Sequence, residues 1–367
     1  MIKNGYYYPN LIWEHKLHKD EKTGEFKGDC AYLFIEGNRR AGKSVGVGIY
    51  ALQDYFKYGY QTALVRRYLK DFEDKKKQAM ENFWKKAWFT CLKYGYIDGL
   101  EEHKLSFDGH IAYIDDKIFS YPVALNLYND YKNNMFENVH TIIYDEFVTE
   151  QATRLKDEVF AMFNIYDTIA RSREDALQTT SVIFISNVIS NANDFHAELG
   201  IDKELRADTK KLIRPQYGYM VEIVNNEVAA AEIENSVIAK VMGKSETGRR
   251  YLGYSQGNEG KDDDSFIDSK GLKGKSYYMC NFTFDKKIYG LRYFPESGKF
   301  YFSDADVDKS FPQNYACTKD DHTMNTTLIT QILRQSLKKY QVYYASGLLW
   351  FNSQRAKKVF LELFRYL

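Results

Sequence analysis

One short stretch governs the interpretation of the whole chain. It reads GNRRAGKS and consists of Gly37, Asn38, Arg39, Arg40, Ala41, Gly42, Lys43 and Ser44. An apolar run rich in β-forming residues, AYLFIE at 31–36, precedes it, and a helix-like segment follows at 43–58. A strand, a glycine-bounded loop and a helix in this order are typical of a loop whose backbone N–H groups wrap a phosphate chain. We therefore expect phosphate binding here; the alternative is a glycine-rich surface turn.

The last two residues of this stretch indicate which phosphate compound is bound. Lys43 supplies a positive charge for β- and γ-phosphates, and the Ser44 hydroxyl is a ligand for Mg²⁺. The N-terminus of the following helix adds the positive end of its dipole. The loop is thus predicted to bind ATP with Mg²⁺, and all eight of its residues are expected to line the nucleotide site.

A second element lies farther along the chain, where the apolar run HTIIY at 140–144 ends in Asp145 and Glu146. Carboxylates that end a buried strand after a phosphate loop predict that Asp145 holds Mg²⁺ through water and that Glu146 deprotonates the attacking water. The alternative is a carboxylate that only caps the next segment. A kinase transfers phosphate to a hydroxyl without a carboxylate that activates water, so the pair favours hydrolysis.

Three polar residues follow other predicted elements. Arg171 and Arg173 end a helix-like segment, and hydrolases of this kind need an added positive charge at the γ-phosphate, often from a neighbouring subunit. Either arginine is a candidate for this finger; the alternative is a pair of cations that favour a helix C-terminus. Asn187 follows the apolar run SVIFIS at 181–186. It is a candidate to hydrogen-bond the attacking water or the γ-phosphate, and otherwise a turn-forming residue.

Positive residues also end the strand-like run QTALVRRY at 61–68. Ligands bind outside the carboxyl ends of the strands in open α/β sheets, so Arg66 and Arg67 are candidates to contact phosphate or a neighbouring subunit. Lys70 and the lysines at 75–77 continue this positive character. The alternative for the lysine run is a solvated helix face.

The alternation of strand-like and helix-like segments predicts an α/β domain with a mainly parallel central sheet in residues 1–228. A helix candidate at 229–242 and a polar, glycine-rich stretch after it predict a linker region over 229–264. Residues 265–367 are predicted to form a smaller α+β domain. Its stretch at 276–303 alternates as hairpin strands do, and 326–367 is predicted to be helical.

Composition sets the outer limits. With 367 residues and 44% apolar content, two domains can be buried and global disorder is excluded. A net charge of +1 excludes a uniformly basic surface but allows a local basic channel. The four cysteines form no CxxC pair, which fits a reducing cytosol, and no apolar run approaches the ~20 residues of a membrane helix. We therefore expect a soluble, cytoplasmic protein that does not engage a membrane.

Together these motifs resemble the double-stranded DNA-packaging ATPases (encapsidation proteins) of small podophages of the Bacillus-phage type. The resemblance is carried by GNRRAGKS at 37–44, KYGYQTALVRRY at 57–68, ENVHTIIYDEF at 137–147, DTIARSRE at 167–174 and ISN at 185–187. A weaker similarity extends to ASGLLWFNSQ at 345–354 and LELFRYL at 361–367. The family is similar to additional-strand, catalytic-glutamate ATPases, which include the large terminases.

The resemblance implies roles for single residues. The family's loop lysine and serine fall on Lys43 and Ser44, its carboxylate pair on Asp145 and Glu146, its arginine finger on Arg171 with Arg173 close by, and its strand-end arginines on Arg66 and Arg67. Its lid lysine matches Lys132, and its tyrosine-containing start suggests that Tyr8, or alternatively Tyr7, stacks on adenine. One departure lies at Leu69, where the family has a basic residue linked with DNA contact in the pore; Lys70 is the neighbouring candidate for that contact.

The resemblance also implies an assembly. Family members form a pentameric ring at the portal (connector) of the prohead, with a packaging RNA between ring and portal, and they drive double-stranded DNA into the capsid. The C-terminal domain is expected to resemble a ribonuclease-H-like nuclease fold without nuclease activity, although Asp285, Asp304 and Asp306 are acidic. Two alternatives stay open: a nucleotide-gated nucleic-acid-binding or assembly module with little turnover, and another P-loop enzyme such as a kinase.

Overall fold

The computed structural model describes residues 2–20, 22–38, 40–73, 79–133, 136–148, 155, 157–186, 193–206, 209–226, 231, 235–242 and 265–365. The chain divides into two compact units. The first unit takes in the described residues of 1–189 and 209–261, and the second takes in those of 190–208 and 262–367. Residues 193–206 thus pack with the second unit, whereas the sequence prediction has them in the first domain; the predicted boundaries remain a prediction.

The described strands are β1 (Ile2–Lys3), β2 (Tyr6–Tyr7), β3 (His18–Lys19), β4 (Phe26–Lys27), β5 (Tyr32–Gly37), β6 (Gln61–Arg66), β7 (Leu105–Asp108), β8 (Ile111–Ile114), β9 (Lys117–Ala124), β10 (Val139–Asp145), β11 (Ser181–Ser186), β12 (Lys211–Arg214), β13 (Tyr219–Val224), β14 (Tyr277–Phe284), β15 (Lys287–Phe294), β16 (Lys299–Ser303), β17 (Asn314–Ala316), β18 (Thr327–Leu328) and β19 (Leu349–Phe351). The described α-helices are α1 (Asn10–His15), α2 (Lys43–Tyr58), α3 (Lys70–Glu73), α4 (Ala79–Tyr94), α5 (Glu158–Ala170), α6 (Ala176–Thr179), α7 (Asp194–Glu198), α8 (Val237–Met242), α9 (Gln331–Leu337), α10 (Lys339–Ala345) and α11 (Gln354–Arg365).

The central sheet of the first unit, as far as the structure describes it, has nine strands in the order β12-β13-β5-β11-β10-β6-β9-β8-β7. The six strands from β13 to β9 pair in parallel, and the two ends of the sheet are antiparallel. β11 lies between the loop-bearing strand β5 and the carboxylate-bearing strand β10. This confirms the mainly parallel α/β sheet and its additional strand.

The apolar strands of this sheet are buried on both faces, as the continuous runs predict. Leu33, Ile143 and Ile183 belong to the core that includes the buried residues of α2. On the opposite face, Phe34 and Phe184 stack with ring centroids 4.5 Å apart. Successive residues of a strand point to opposite faces of the sheet. Neighbouring residues at a strand end therefore contact different helices.

The second unit is built on a sheet of six described strands in the order β18-β17-β14-β15-β16-β19. β14, β15 and β16 form an antiparallel meander, and β17 and β18 add in parallel beside β14. This strand order agrees with the ribonuclease-H-like fold that the resemblance implies. Phe282, Leu291 and Phe302 pack against α9, α10 and α11 in its core.

Two sequence predictions of secondary structure need correction. Residues 326–367 are not helical throughout, because β18 precedes α9 and β19 lies between α10 and α11. Gly347, at φ 72°, follows α10 and turns the chain so that the apolar residues of β19 pair with β16. β6 ends at Arg66, two residues earlier than predicted. Most of the predicted linker at 229–264 lies outside the described residues. The part that is described includes α8, within the helix predicted at 229–242. Among the described helices, none combines the length and the apolar character that a bilayer span requires.

Candidate nucleotide site

The glycine loop is shaped by two backbone positions. Gly37 ends β5 at φ 149°, and a Cβ there would lie 1.9 Å from the carbonyl oxygen of Val224. Gly42 immediately precedes α2 at φ 77°, and a Cβ there would lie 2.8 Å from Cα of Tyr6. Both φ values and both close contacts require glycine. The sequence pattern therefore marks a real constraint of the loop.

The loop is held in place by Asn226, by Glu222 and by Tyr7, which the sequence suggested only as an alternative to Tyr8 for stacking on adenine. The buried side chain of Asn38 donates to the carbonyl of Asn226 at 3.4 Å and accepts from its N–H at 3.2 Å. The carbonyl of Ala41 accepts from the N–H of Tyr7 at 3.0 Å. Tyr7 in turn donates its hydroxyl to Glu222 at 2.6 Å. Asn226, Tyr7 and Glu222 come from distant parts of the sequence, so only the fold reveals these contacts.

Lys43 reaches back into the loop. Its Nζ donates to the carbonyl oxygens of Gly37 at 3.1 Å and Asn38 at 2.7 Å, and only 3% of the residue is exposed. Burial lowers the pKa of Lys43 to about 7, against the carboxylates of Asp145 and Glu36, which raise it. The Lys43 amine is thus held by the backbone of the loop that the sequence predicts to wrap a phosphate chain.

Ser44 and Asp145 meet as the sequence predicts. The Ser44 hydroxyl lies 3.3 Å from Oδ1 of Asp145. Burial is the largest cause that raises the pKa of Asp145, and the nearby Arg66 guanidinium opposes it. A hydroxyl and a carboxylate at the mouth of a phosphate loop are oxygen donors of the kind that Mg²⁺ takes together with nucleotide phosphates. The residues present therefore fit a magnesium–nucleotide complex.

Glu146 and Arg66 line a cleft of about 600 Å³ beside Ser44. The Glu146 side chain is 61% exposed and its backbone is left-handed at φ 62°. Arg66 donates to Asp145 Oδ2 at 2.5 Å and to Glu146 Oε2 at 2.8 Å. In this structure the two carboxylates expected to act on a nucleotide are thus both paired with one arginine.

Unlike Arg66, Arg67 does not pair with Asp145 or with the carboxylate of Glu146. Its Nε donates to Glu158 at 2.9 Å, and its two terminal nitrogens donate to the carbonyls of Glu146, at 2.6 Å, and of Phe147. All three guanidinium nitrogens of Arg67 donate within the chain, so the predicted contact of Arg67 with phosphate or a neighbouring subunit would require these hydrogen bonds to break; that contact stays a prediction. Alternation along the strand turns Arg66 toward α2 and Arg67 toward α5.

The two arginines after α5 differ sharply. Arg171 is 62% exposed, and among the described residues its guanidinium contacts only Asp167, one turn earlier. Arg173 is 14% exposed. It donates to the Val139 carbonyl at 2.7 Å and to the Thr180 hydroxyl at 2.8 Å. Arg173 therefore ties α5 to the amino ends of β10 and β11, whereas Arg171 projects into solvent.

The remaining predicted site residues lie as follows. Tyr8 packs on Tyr96 with ring centroids 5.7 Å apart. Lys132 is exposed, 5.9 Å from the centre of the Tyr128 ring. Lys70 lines the same cleft as Glu146. Arg40 is exposed with φ 63°, and Arg39 and Asn187 lie outside the described residues.

One more group of potential metal ligands lies away from the cleft. His15, Asp29 and Cys30 approach within 4.8 Å of one another, and Cys30 comes just before β5, at the opposite end of that strand from the loop. His15 Nδ1 and Asp29 Oδ1 are 2.8 Å apart, and the Cys30 thiol also donates to that oxygen. Burial raises the pKa of Cys30 well above its usual range, which disfavours the thiolate that a metal needs.

The sheet order and the strand-end residues define the class of protein: a P-loop fold with an additional strand and an Asp–Glu pair beside the loop. The particular family follows from comparison with known sequences. The model of the podovirus DNA encapsidation protein (Gp16) family matches residues 26–367, and the chain belongs to this family. The resemblance inferred from the motifs is thereby confirmed.

Known relatives have similar lengths. The chain is 26% identical over 340 residues to the DNA packaging protein of Bacillus phage phi29, covering 90% of this chain and 92% of that protein. It is 24% identical over 338 residues to the DNA packaging protein of Bacillus phage B103, covering 90% and 96%.

Two solved structures share the fold. A chain of the bacteriophage Phi-29 viral genome packaging motor assembly matches with a TM-score of 0.62 at 23% identity, covering 92% of this chain and 96% of that chain. The Phi-28 gp11 DNA packaging motor matches with a TM-score of 0.58 at 18% identity, covering 99% and 98%. At such identities these likenesses concern the fold.

Proposed function

We propose that this protein is an ATP-hydrolysing motor subunit that translocates double-stranded viral DNA into a preformed capsid. Its relatives are DNA packaging proteins, which supports the cargo. The observation that carries the hydrolytic part is the position of Glu146, whose exposed carboxylate follows Asp145 into the cleft beside Ser44. A binding module has no need of a second carboxylate placed there.

The residues of the site divide the work of phosphoryl transfer. Lys43 leaves the carbonyls of its own loop for the β- and γ-phosphates of bound ATP, which keep its ammonium protonated. Glu146 orients a water on the γ-phosphorus and accepts its proton as the P–O bond to ADP breaks. Ser44 and Asp145 are the residues that would hold Mg²⁺, which supplies positive charge to offset the charge of the phosphates.

Arg66 imposes a condition on this chemistry. The Glu146 oxygen that accepts from Arg66 at 2.8 Å is occupied by that guanidinium and is not placed to accept the proton of an attacking water. Turnover therefore requires Glu146 to leave Arg66. Nucleotide phosphates offer Arg66 a competing partner, so ATP binding itself favours this release.

Arg171 is the better candidate for a finger that acts on a neighbouring subunit. α5 begins at Glu158 near the site and runs 13 residues, or about 20 Å, toward the opposite edge of the sheet. Arg173 marks that edge, since it binds the first residue of β10. Arg171 thus lies a helix length from its own loop and is exposed, as a residue that completes another subunit's site must be.

The wider assembly follows the family resemblance. We propose a homo-oligomeric ring, pentameric by that resemblance, that docks on the portal of the prohead, with packaging RNA as a further partner. The ring works transiently at the portal vertex in the host cytoplasm. The domains at 1–228 and 265–367, the linker at 229–264, and the roles of Tyr8, Lys132, Lys70 and Asn187 belong to the same proposal.

The central experiment measures ATPase rate with and without double-stranded DNA, on protein whose mass is followed by light scattering. We expect DNA to stimulate hydrolysis in the oligomer. Glu146→Gln should bind ATP and fail to turn it over. Glu137→Gln is a matched control, because Glu137 is exposed and precedes the same strand at its other end. Normal hydrolysis by Glu146→Gln would reject the assignment.

The shared site has its own test. Subunits carrying Arg171→Ala are mixed with subunits carrying Lys43→Ala, and ATPase activity is measured against mixing ratio. Mixed interfaces that pair an intact loop with an intact arginine should recover activity that neither variant has alone. Repeating the mixture with Arg173→Ala is the control, and recovery with both arginine variants alike would refute the distinction between them.

A second candidate function draws on the pairing of both carboxylates with Arg66. In a nucleotide-gated assembly module, this pairing would persist and ATP would act as a structural ligand with little turnover. ATP-dependent oligomer formation together with a DNA-independent, negligible ATPase rate would favour the module over the motor.

A further inference from the structure

The turn that carries Glu146 adopts a conformation that side chains disfavour. Glu146 has φ 62°, in the left-handed region that favours glycine. The turn is tied to the sheet on one side, where the N–H of Phe147 donates to the carbonyl of Ile185 at 3.2 Å. A backbone held in this way needs support from its surroundings, because the chain would otherwise relax to an ordinary conformation.

Arg67 gives that support from the other side. One of its terminal nitrogens donates to the Glu146 carbonyl at 2.6 Å, and the other donates to the Phe147 carbonyl. A planar guanidinium with donors in a fixed fork can bind two successive carbonyls at once, which a lysine ammonium does with poorer geometry. Arg67, which also lines the cleft, therefore binds the carbonyls of two successive residues of the turn.

Arg67 is itself fixed by a buried carboxylate. Its Nε lies 2.9 Å from Glu158 Oε2, and the side chains of both residues are 8% exposed. Glu158 also accepts from the hydroxyl of Tyr144 and from the N–H of Leu155 at 3.2 Å. The charge of Arg67 is thus balanced and its orientation is set without help from the cleft.

We propose that Arg67, oriented by Glu158 and Tyr144, is a positioning residue for hydrolysis, because it holds the left-handed turn that presents Glu146 to the attacking water. This inference rests on the proposed function of Glu146. It separates the two neighbouring arginines: Arg66 binds the carboxylates of the site, whereas Arg67 binds the backbone behind Glu146. Arg66 ends β6 and Arg67 follows it, just as Asp145 ends β10 and Glu146 follows it, and Val65 pairs with Tyr144 just before these strand ends.

The test begins with Arg67→Lys and Arg67→Ala in the full chain. We expect kcat with double-stranded DNA to fall about 10-fold for the lysine variant and about 100-fold for alanine, as for a misplaced catalytic group. KM and the affinity for ATP should stay within about threefold, because the turn does not hold the phosphates. Arg67 is a cleaner target than Glu158, since changing Glu158 would also disturb the start of α5. Arg214→Lys is the matched control, because Arg214 ends β12 at the other edge of the sheet.

A double-mutant cycle separates positioning from general support of the fold. If Arg67 acts through Glu146, Arg67→Lys should change the residual single-turnover rate of Glu146→Gln by less than about twofold. An equal loss in both backgrounds would overturn the inference. An unchanged kcat in Arg67→Lys would also overturn the inference. This outcome can be measured even if Arg67→Ala does not fold. Normal turnover by Glu146→Gln alone would instead reject the function assigned to Glu146.

Discussion

In the first unit, the strand ends carry Arg66, Asp145 and Glu146, which are charged and face an open cleft. In the second unit, polar side chains are buried within the sheet and bond to one another. Thr283 donates its hydroxyl to the amide oxygen of Asn314 at 3.0 Å, and Asn281 donates to a backbone carbonyl at 2.7 Å. Neutral groups that are satisfied internally stabilise a fold, whereas charged groups held at an open edge remain available to a ligand. On this contrast, the proposed chemistry belongs to the first sheet, and the buried polar groups of the second sheet support its fold.

The largest expected difference between the two sheets is in the response to a glycine-to-alanine substitution, made separately in each sheet. Gly37→Ala places a Cβ 1.9 Å from the Val224 carbonyl, so the loop must shift and ATP affinity should fall by about 100-fold or more. Gly290→Ala meets the hydroxyl of Tyr278 at 2.3 Å, and that side chain must move. It should cost about 1–3 kcal/mol of stability and leave ATP affinity unchanged.

Nucleotide titration and thermal melting on both glycine variants check this pair. The comparison breaks if Gly37→Ala binds ATP like the parent chain, or if Gly290→Ala loses nucleotide affinity.

The next effect concerns one strand-end carboxylate from each unit. Glu146→Gln should lower kcat by about 10²–10⁴-fold, the usual contribution of a general base, with ATP still bound. Asp304 follows β16 and accepts from the amide of Asn352 at 2.6 Å, so Asp304→Asn should keep its ATPase rate within about twofold. Steady-state ATPase assays without DNA compare the two directly. A large loss in Asp304→Asn would place catalytic chemistry in the second unit.

The sequence predicted much of the first sheet because its signals are local. Apolar runs predicted the buried strands, and two glycines before a helix-like segment predicted the strand–loop–helix at 32–58. The carboxyl ends of parallel strands share one edge, so Lys43, Asp145 and Arg66 could be expected together before the strand order was known. That β11 separates β5 from β10 depends on tertiary packing and left no local signal.

The sequence could not predict which face of the sheet each charged side chain lies on. Arg66 and Arg67 are the same residue type side by side, and the sequence treats them alike. Their contacts differ because the two side chains lie on opposite faces of the sheet. Arg66 pairs with Asp145 on the face that α2 covers, whereas Arg67 pairs with Glu158 of α5 on the other face. Arg171 and Arg173 diverge for the same reason, since only Arg173 meets the amino ends of the strands. In the second unit, β19 was mistaken for helix because a strand of three residues has no period to detect.

A smaller effect should appear in the pH dependence of the second unit. Asp202 is 2% exposed, and burial, followed by the charge of Asp304, raises its pKa above the ordinary 3.8. The folded state then binds more protons than the unfolded state between the ordinary and the raised value, so stability falls as pH rises through that window. Asp202→Asn should stabilise the unit by about 1 kcal/mol above the window, and the gain should disappear as pH falls toward the ordinary value.

Thermal melting of Asp202→Asn from about pH 8 down to about pH 4 measures this difference against the parent chain. The exposed Asp320→Asn serves as control and should show no such trend. A stabilisation that grows on acidification would contradict the assignment.

The last prediction is that the whole chain shows no nuclease activity. Two-metal nucleases need carboxylates that hold two ions about 4 Å apart. Among the described residues of the second unit, no three histidine, cysteine or acidic side chains come close enough to hold an ion. Supercoiled plasmid incubated with Mg²⁺ or Mn²⁺ should therefore stay uncut by this protein. Nicking that survives purification and disappears in Asp304→Asn would show that the second sheet, too, carries chemistry, and the contrast between the two sheets would fail.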